Sequence, residues 1–91
     1  MAPYNPPIAH YAHLNLVQEF GPIYEDEIKA IVGEHGANFK TITKDSGVKY
    51  IWLNKDTNCI EIWGSENNVP IAMKKLIHHV TDILIRASGT D

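Results

Sequence analysis

Two glycines three positions apart, Gly33 and Gly36, sit inside the run Ile31-Val32-Gly33-Glu34-His35-Gly36-Ala37-Asn38-Phe39-Lys40-Thr41-Ile42. Glycine carries no Cβ and tolerates positive φ, so this pair permits a tight turn that another molecule can approach closely. A helix ending at Gly33 and another starting after Gly36 would aim unpaired backbone N–H groups at the gap, an arrangement suited to a phosphate. The charge around the turn fits that chemistry. From Ile28 to Lys55 there are five lysines (Lys29, Lys40, Lys44, Lys49, Lys55) against Glu34 and Asp45, whereas Glu19 to Glu27 holds four acids and no base.

Other chemistry-bearing residues point nowhere so definite. His10 and His13 would lie on opposite faces of a strand, and His78 and His79 diverge by about 100° on a helix, so neither pair is expected to hold a metal. Glu25-Asp26-Glu27 reads as the ordinary acidic first turn of a helix, where the dipole favours negative charge. Cys59 falls in an apolar alternation and reads as a strand residue, not a nucleophile. Trp52 and Trp63 share a parity and fit a core. The expectation is a protein with no enzymatic activity, no cofactor and no metal.

Length and composition set the outer limits. Ninety-one residues with 44% hydrophobic content are expected to form one domain with one core. No apolar run approaches a membrane span and no signal-peptide pattern opens the chain, so no membrane partner is expected. One cysteine cannot form an internal disulfide, which favours a reduced intracellular setting, nucleus or cytoplasm. A net charge of −3 argues against gripping nucleic acid by bulk positive charge.

The elements that must position the glycine turn follow from periodicity. Residues 1–9, with three prolines, read as a flexible lead-in, residues 10–87 as the single domain and 88–91 as a tail. Ala12, Leu14 and Leu16 alternate with polar neighbours, predicting a strand over His10–Phe20 that Gly21-Pro22 ends. Ile23–Val32 reads as a short helix with Ile28, Ile31 and Val32 inward. Ala37–Asp45 reads as a second helix, Phe39 and Ile42 inward, Lys40 and Lys44 outward, stopped by Gly47. Val48–Leu53 and Cys59–Trp63 read as strands joined by the polar loop 54–58. Pro70 fits the first turn of a final helix, capped by Asn67 or Asn68 and running to about Arg86 on Ala72 or Met73, Leu76, Val80, and Ile83 or Leu84.

That order, β-α-α-β-β-α, and the words within it match a known module. From Ile28 to Arg86 the sequence resembles a type I KH (hnRNP K homology) domain. The phrase is the aliphatic pair Ile31-Val32, the G-x-x-G Gly33 to Gly36, then Phe39, Lys40, Ile42, Ser46-Gly47 and Val48, followed by Ile60-Glu61-Ile62-Trp63-Gly64 and a helix from Val69. The resemblance implies an α+β fold, a three-stranded antiparallel sheet packed on one face by three helices. It also implies binding of single-stranded RNA or DNA, about four nucleotides in a groove beside the glycine loop. Carried onto this chain, the clamp is Gly33, Glu34, His35 and Gly36. The first helix supplies Lys29, Ala30 and Val32, the second Phe39, Lys40, Thr43 and Lys44. The strand supplies Tyr50 and Trp52, or Ile51 if the register is shifted by one, which would turn every side chain over.

Glu34 sets a carboxylate where a phosphate would arrive. Two like charges about 5 Å apart cost roughly 1 kcal/mol at surface screening, and His35 offsets that only when protonated. Weak binding governed by groove shape is therefore expected. The alternative is a KH-fold scaffold that binds protein or forms a homodimer through its final helix, whose Ile77, Leu84 and Ile85 exceed the core stripe.

Overall fold

The computed structural model describes residues 10–87, and the expected lead-in and tail lie outside the described residues. β1 spans His10–Asn15 and is followed at once by a one-turn helix, α1, Leu16–Phe20. The expected strand to Phe20 is thus corrected. Asn15 breaks it: its side-chain oxygen accepts from the Gln18 backbone N–H at 3.0 Å and caps α1. Leu16 keeps the strand's apolar parity yet is fully buried from the helix, which is why alternation overshot.

α2 spans Glu25–Val32, two residues shorter than expected at its start. The Glu27 carboxylate reaches back to accept from the Tyr24 N–H at 2.8 Å, fixing the helix start there. A single 3₁₀ turn, Glu34–Gly36, links it to α3, Ala37–Ser46. Phe39 and Ile42 are buried and Lys40 and Lys44 exposed, as the spacing predicts. Gly47, left-handed at φ 80°, ends α3 as expected. β2 is Tyr50–Asn54 and β3 is Cys59–Gly64, so the first of these strands begins two residues later than the composition suggests. α4 runs Val69–Ala87. The Asn68 side chain donates to the Gly47 carbonyl at 3.2 Å, tying the start of α4 to the end of α3.

The sheet is antiparallel in the order β1-β3-β2, with Ile62 opposite both Ala12 and Ile51. Leu14, Ile51, Leu53, Ile60 and Ile62 point to one face and meet Ile31, Phe39, Ile42, Ala72, Leu76 and Val80 from α2, α3 and α4. This is the α+β arrangement expected, a three-stranded sheet covered on one face by three helices, with α1 as an added turn at its edge. Leu84 packs against that core with Met73 and Ile83, and so does not belong to a surface patch. Cys59 is half-buried at the start of β3, more open than its strand position suggests. Trp63 is buried, but on the opposite side of the sheet from the helices: it shares the parity of Glu61, not of Ile60 and Ile62. Among the described residues, no helix is long and apolar enough to cross a membrane.

Candidate functional site

The glycine turn is built by backbone geometry first. Gly33 closes α2, its N–H donating to the Lys29 carbonyl at 2.9 Å, and adopts φ 85°. A Cβ added there would lie 2.8 Å from the Asn38 backbone nitrogen, so position 33 has room for a hydrogen alone. Gly36 has φ 75° and returns its N–H to the Gly33 carbonyl at 3.0 Å, but a Cβ there would meet nothing. His35, between them, is also left-handed at φ 56°, a conformation seldom held by residues other than glycine. Gly33, His35 and Gly36 thus all hold positive φ, and the turn delivers the chain into α3 with no side chain capping that helix at Gly36. The positive end of the α3 dipole faces the turn.

Two side chains hold the other end. The Asn38 carboxamide donates to the Ala30 carbonyl at 2.9 Å, and His79 of α4 donates from Nε2 to the Ile31 carbonyl at 2.9 Å. Both carbonyls belong to the last turn of α2, where intrahelical partners run out. The loop thus leaves a helix end that is tied down from α3 and from α4.

Beside the turn runs a groove of about 500 Å³, lined by Val32, His35, Gly36, Phe39, Lys40, Thr43, Lys44, Tyr50, Ile51, Trp52, Leu53 and Lys55. A second depression of about 480 Å³ lies along α2, lined by Ile28, Lys29, Ala30, Val32, Gly33, Glu34 and Lys55. Every residue expected from the sequence falls in one hollow or the other, and Val32 and Lys55 border both. The floor of the groove is apolar, from Val32, Phe39, Ile51 and Leu53. Lys40, Lys44 and Lys55 are exposed around it.

Three placements sharpen the expectation. Glu34 opens onto the α2 depression and not onto the main groove; its side chain is 89% exposed and stands 3.7 Å from His35 Nε2. The register choice on β2 is settled: Ile51 and Leu53 turn toward the helices and are buried, while Tyr50 and Trp52 turn to the far face and stay half-exposed. The Thr43 hydroxyl donates back to the Phe39 carbonyl at 2.7 Å, so it offers the groove an acceptor only.

A family model described as KH domain matches residues 18–78, about two thirds of the chain. The chain belongs to the KH domain family. KH domains are RNA-binding modules that generally take single-stranded nucleic acid, and they are not enzymes. The chain matches no curated protein.

Within this KH domain, sequence reasoning missed Lys55, Leu53, Asn38 and His79. Lys55 sits in a loop 19 positions past Gly36 and reaches the site through the β2–β3 turn, which no local pattern signals. Leu53 was findable, being the next position of the Ile51 parity. Asn38 and His79 act on backbone carbonyls and leave no spacing signature.

Proposed function

We propose that this KH domain binds single-stranded RNA or DNA, laying about four nucleotides along the groove beside Gly33–Gly36. The observation that carries the reading is an apolar-floored groove bordered by His35 and Gly36 of the glycine turn and by Lys40, Lys44 and Lys55. A phosphate beside the turn meets the α3 amino end and close backbone, since Gly36 presents no side chain. Bases lie on Val32, Phe39, Ile51 and Leu53. β2 is an edge strand, so its unpaired backbone N–H and C=O groups are available to base edges. Few cations border the groove of a chain whose net charge is −3, so affinity is weak and shape does most of the selection.

Titration of the isotope-labelled domain with randomised single-stranded RNA and DNA tetranucleotides tests this. Amide shifts clustered at residues 32–44 and 50–55 are expected. Shifts confined to α4, or none at millimolar oligonucleotide, would rule the groove out.

A second reading rests on α4, where Ile71 is 45%, Ile77 37% and Ile85 62% exposed. Such isoleucines support a contact with a second copy or with another protein, and that contact would leave the groove open.

A further inference from the structure

The far face of the sheet, away from the helices, carries an organised aromatic edge. Tyr50 and Trp52 both turn to it from β2, and each is opposite a specific residue of β3. Tyr50 pairs with Trp63, their ring centroids 5.9 Å apart and tilted by 39°. Trp52 pairs with Glu61, and its indole Nε1–H donates to the carboxylate at 2.6 Å. The second oxygen of Glu61 lies 3.5 Å from Asn54 Nδ2 and 3.7 Å from His13 Nε2. Only 12% of the Glu61 side chain is exposed, so its charge is spent on these neighbours and little of it reaches solvent.

This network fixes one edge of the indole and leaves the ring half-exposed. Trp52 also lines the groove, so it stands where the groove wall turns over the edge strand onto the open face. Lys49 and Lys55, both exposed, bracket the strand at either end. An anchored aromatic face beside a basic rim suits an unpaired base followed by its phosphate, and stacking of that kind is sequence-tolerant.

We propose that Trp52, with Tyr50 beside it, forms a stacking ledge for bases that flank the groove-bound tetranucleotide of the same strand. The inference rests on the groove reading and extends it: the footprint on this chain exceeds four nucleotides, and Glu61 is the positioning residue that holds the indole in place. The ledge adds affinity through base faces, not through charge.

The test compares two RNA octanucleotides, each with the same tetranucleotide core and eight nucleotides in all, one with ordinary flanks and one with abasic flanks. Phosphate number is then equal. The affinity ratio of ordinary to abasic flanks is measured for the wild type, Trp52→Leu and Trp52→Phe. Dividing the wild-type ratio by the Trp52→Leu ratio cancels the extra registers an ordinary octamer offers. A quotient of about 5 or more is expected, with Trp52→Phe recovering much of it. If a variant fails to fold, the indole N–H resonance of Trp52 in the wild type serves instead: at saturation it should shift further with ordinary flanks than with abasic ones, whose shift reports the groove-bound core alone. Equal shifts or a quotient near one overturn the ledge and leave the groove standing. A wild type that binds neither octanucleotide overturns both.

Discussion

His79 on α4 and Ile31 on α2 stand 48 positions apart and are joined by a 2.9 Å hydrogen bond from imidazole to carbonyl. The bond lies two residues ahead of the glycine turn, so the longest helix of the fold sets where the turn begins. Removing it with His79→Ala should cost about 1 kcal/mol, a fall in Tm of roughly 5 °C for a domain of this size. Amide exchange at Gly33–Gly36 should quicken more than exchange in β3, and His79→Gln should recover part of the loss. Uniform acceleration across the sheet would show that His79 does nothing particular for the turn.

Gly33 and Gly36 should differ sharply in tolerance. Gly33→Ala drives a Cβ to 2.8 Å from the Asn38 backbone at φ 85°, and should lose about 2 kcal/mol or more of stability. Gly36→Asp meets no atoms and uses a residue that accepts left-handed backbone, so the fold should survive while a carboxylate enters the groove. Circular dichroism melts together with fluorescence anisotropy separate the two: Gly33→Ala lowers Tm, Gly36→Asp lowers affinity about ten-fold. Unchanged affinity in a folded Gly36→Asp variant would displace the nucleic acid from the turn.

Replacing Glu34 with lysine should tighten binding, but modestly. Its carboxylate faces the α2 depression and is widely exposed, so solvent screens it, and a gain of about three-fold is the expected scale. A gain above about thirty-fold would place a phosphate in direct contact with position 34, in the α2 depression that adjoins the main groove at Val32 and Lys55.

Salt offers an independent check. Lys40, Lys44 and Lys55 border the groove, and single strands lose about 0.7 in the log–log slope per phosphate neutralised. The slope of log K against log salt should be about −2. A slope steeper than about −4 would need a broad cationic surface, and this acidic chain has none in its composition.

For the α4 reading, sedimentation at high micromolar concentration is decisive. Self-association through α4 predicts a dimer that Ile77→Glu dissociates with oligonucleotide binding retained. A monomeric wild type removes the homodimer.

The periodic parts of this fold were legible because they are periodic. Phe39 and Ile42 announced the buried face of α3 while Lys40 and Lys44 announced its outer face, and Ala72, Leu76 and Val80 did the same for α4. Where two structures satisfy one pattern, the reading slipped. Leu16 continues the parity of Leu14 but belongs to a helix, because Asn15 caps locally and a cap outranks alternation. The strand parity at Tyr50, Ile51 and Trp52 was left open because both faces carry large apolar side chains. It is settled by the core, which takes Ile51. The family phrase named the residues around the glycine turn and on β2 that line the two hollows, but not Leu53 or Lys55, and not the supports, since Asn38 and His79 serve carbonyls that any residue would present.

The β2–β3 loop has a consequence for how the domain can change. The glycine side of the groove is a fixed jaw, tied from α3 and α4. The opposing jaw, which carries Lys55, is a four-residue span between paired Asn54 and Cys59. It is held by the Asp56 N–H on Asn54 Oδ1 at 3.0 Å and the Leu16 N–H on the Asn58 carbonyl at 3.0 Å. Residues added at its tip would lengthen the jaw's reach without disturbing a core side chain. On the proposed reading, grip and selectivity are adjustable there, in a part of the molecule whose rearrangement the hydrophobic core does not register.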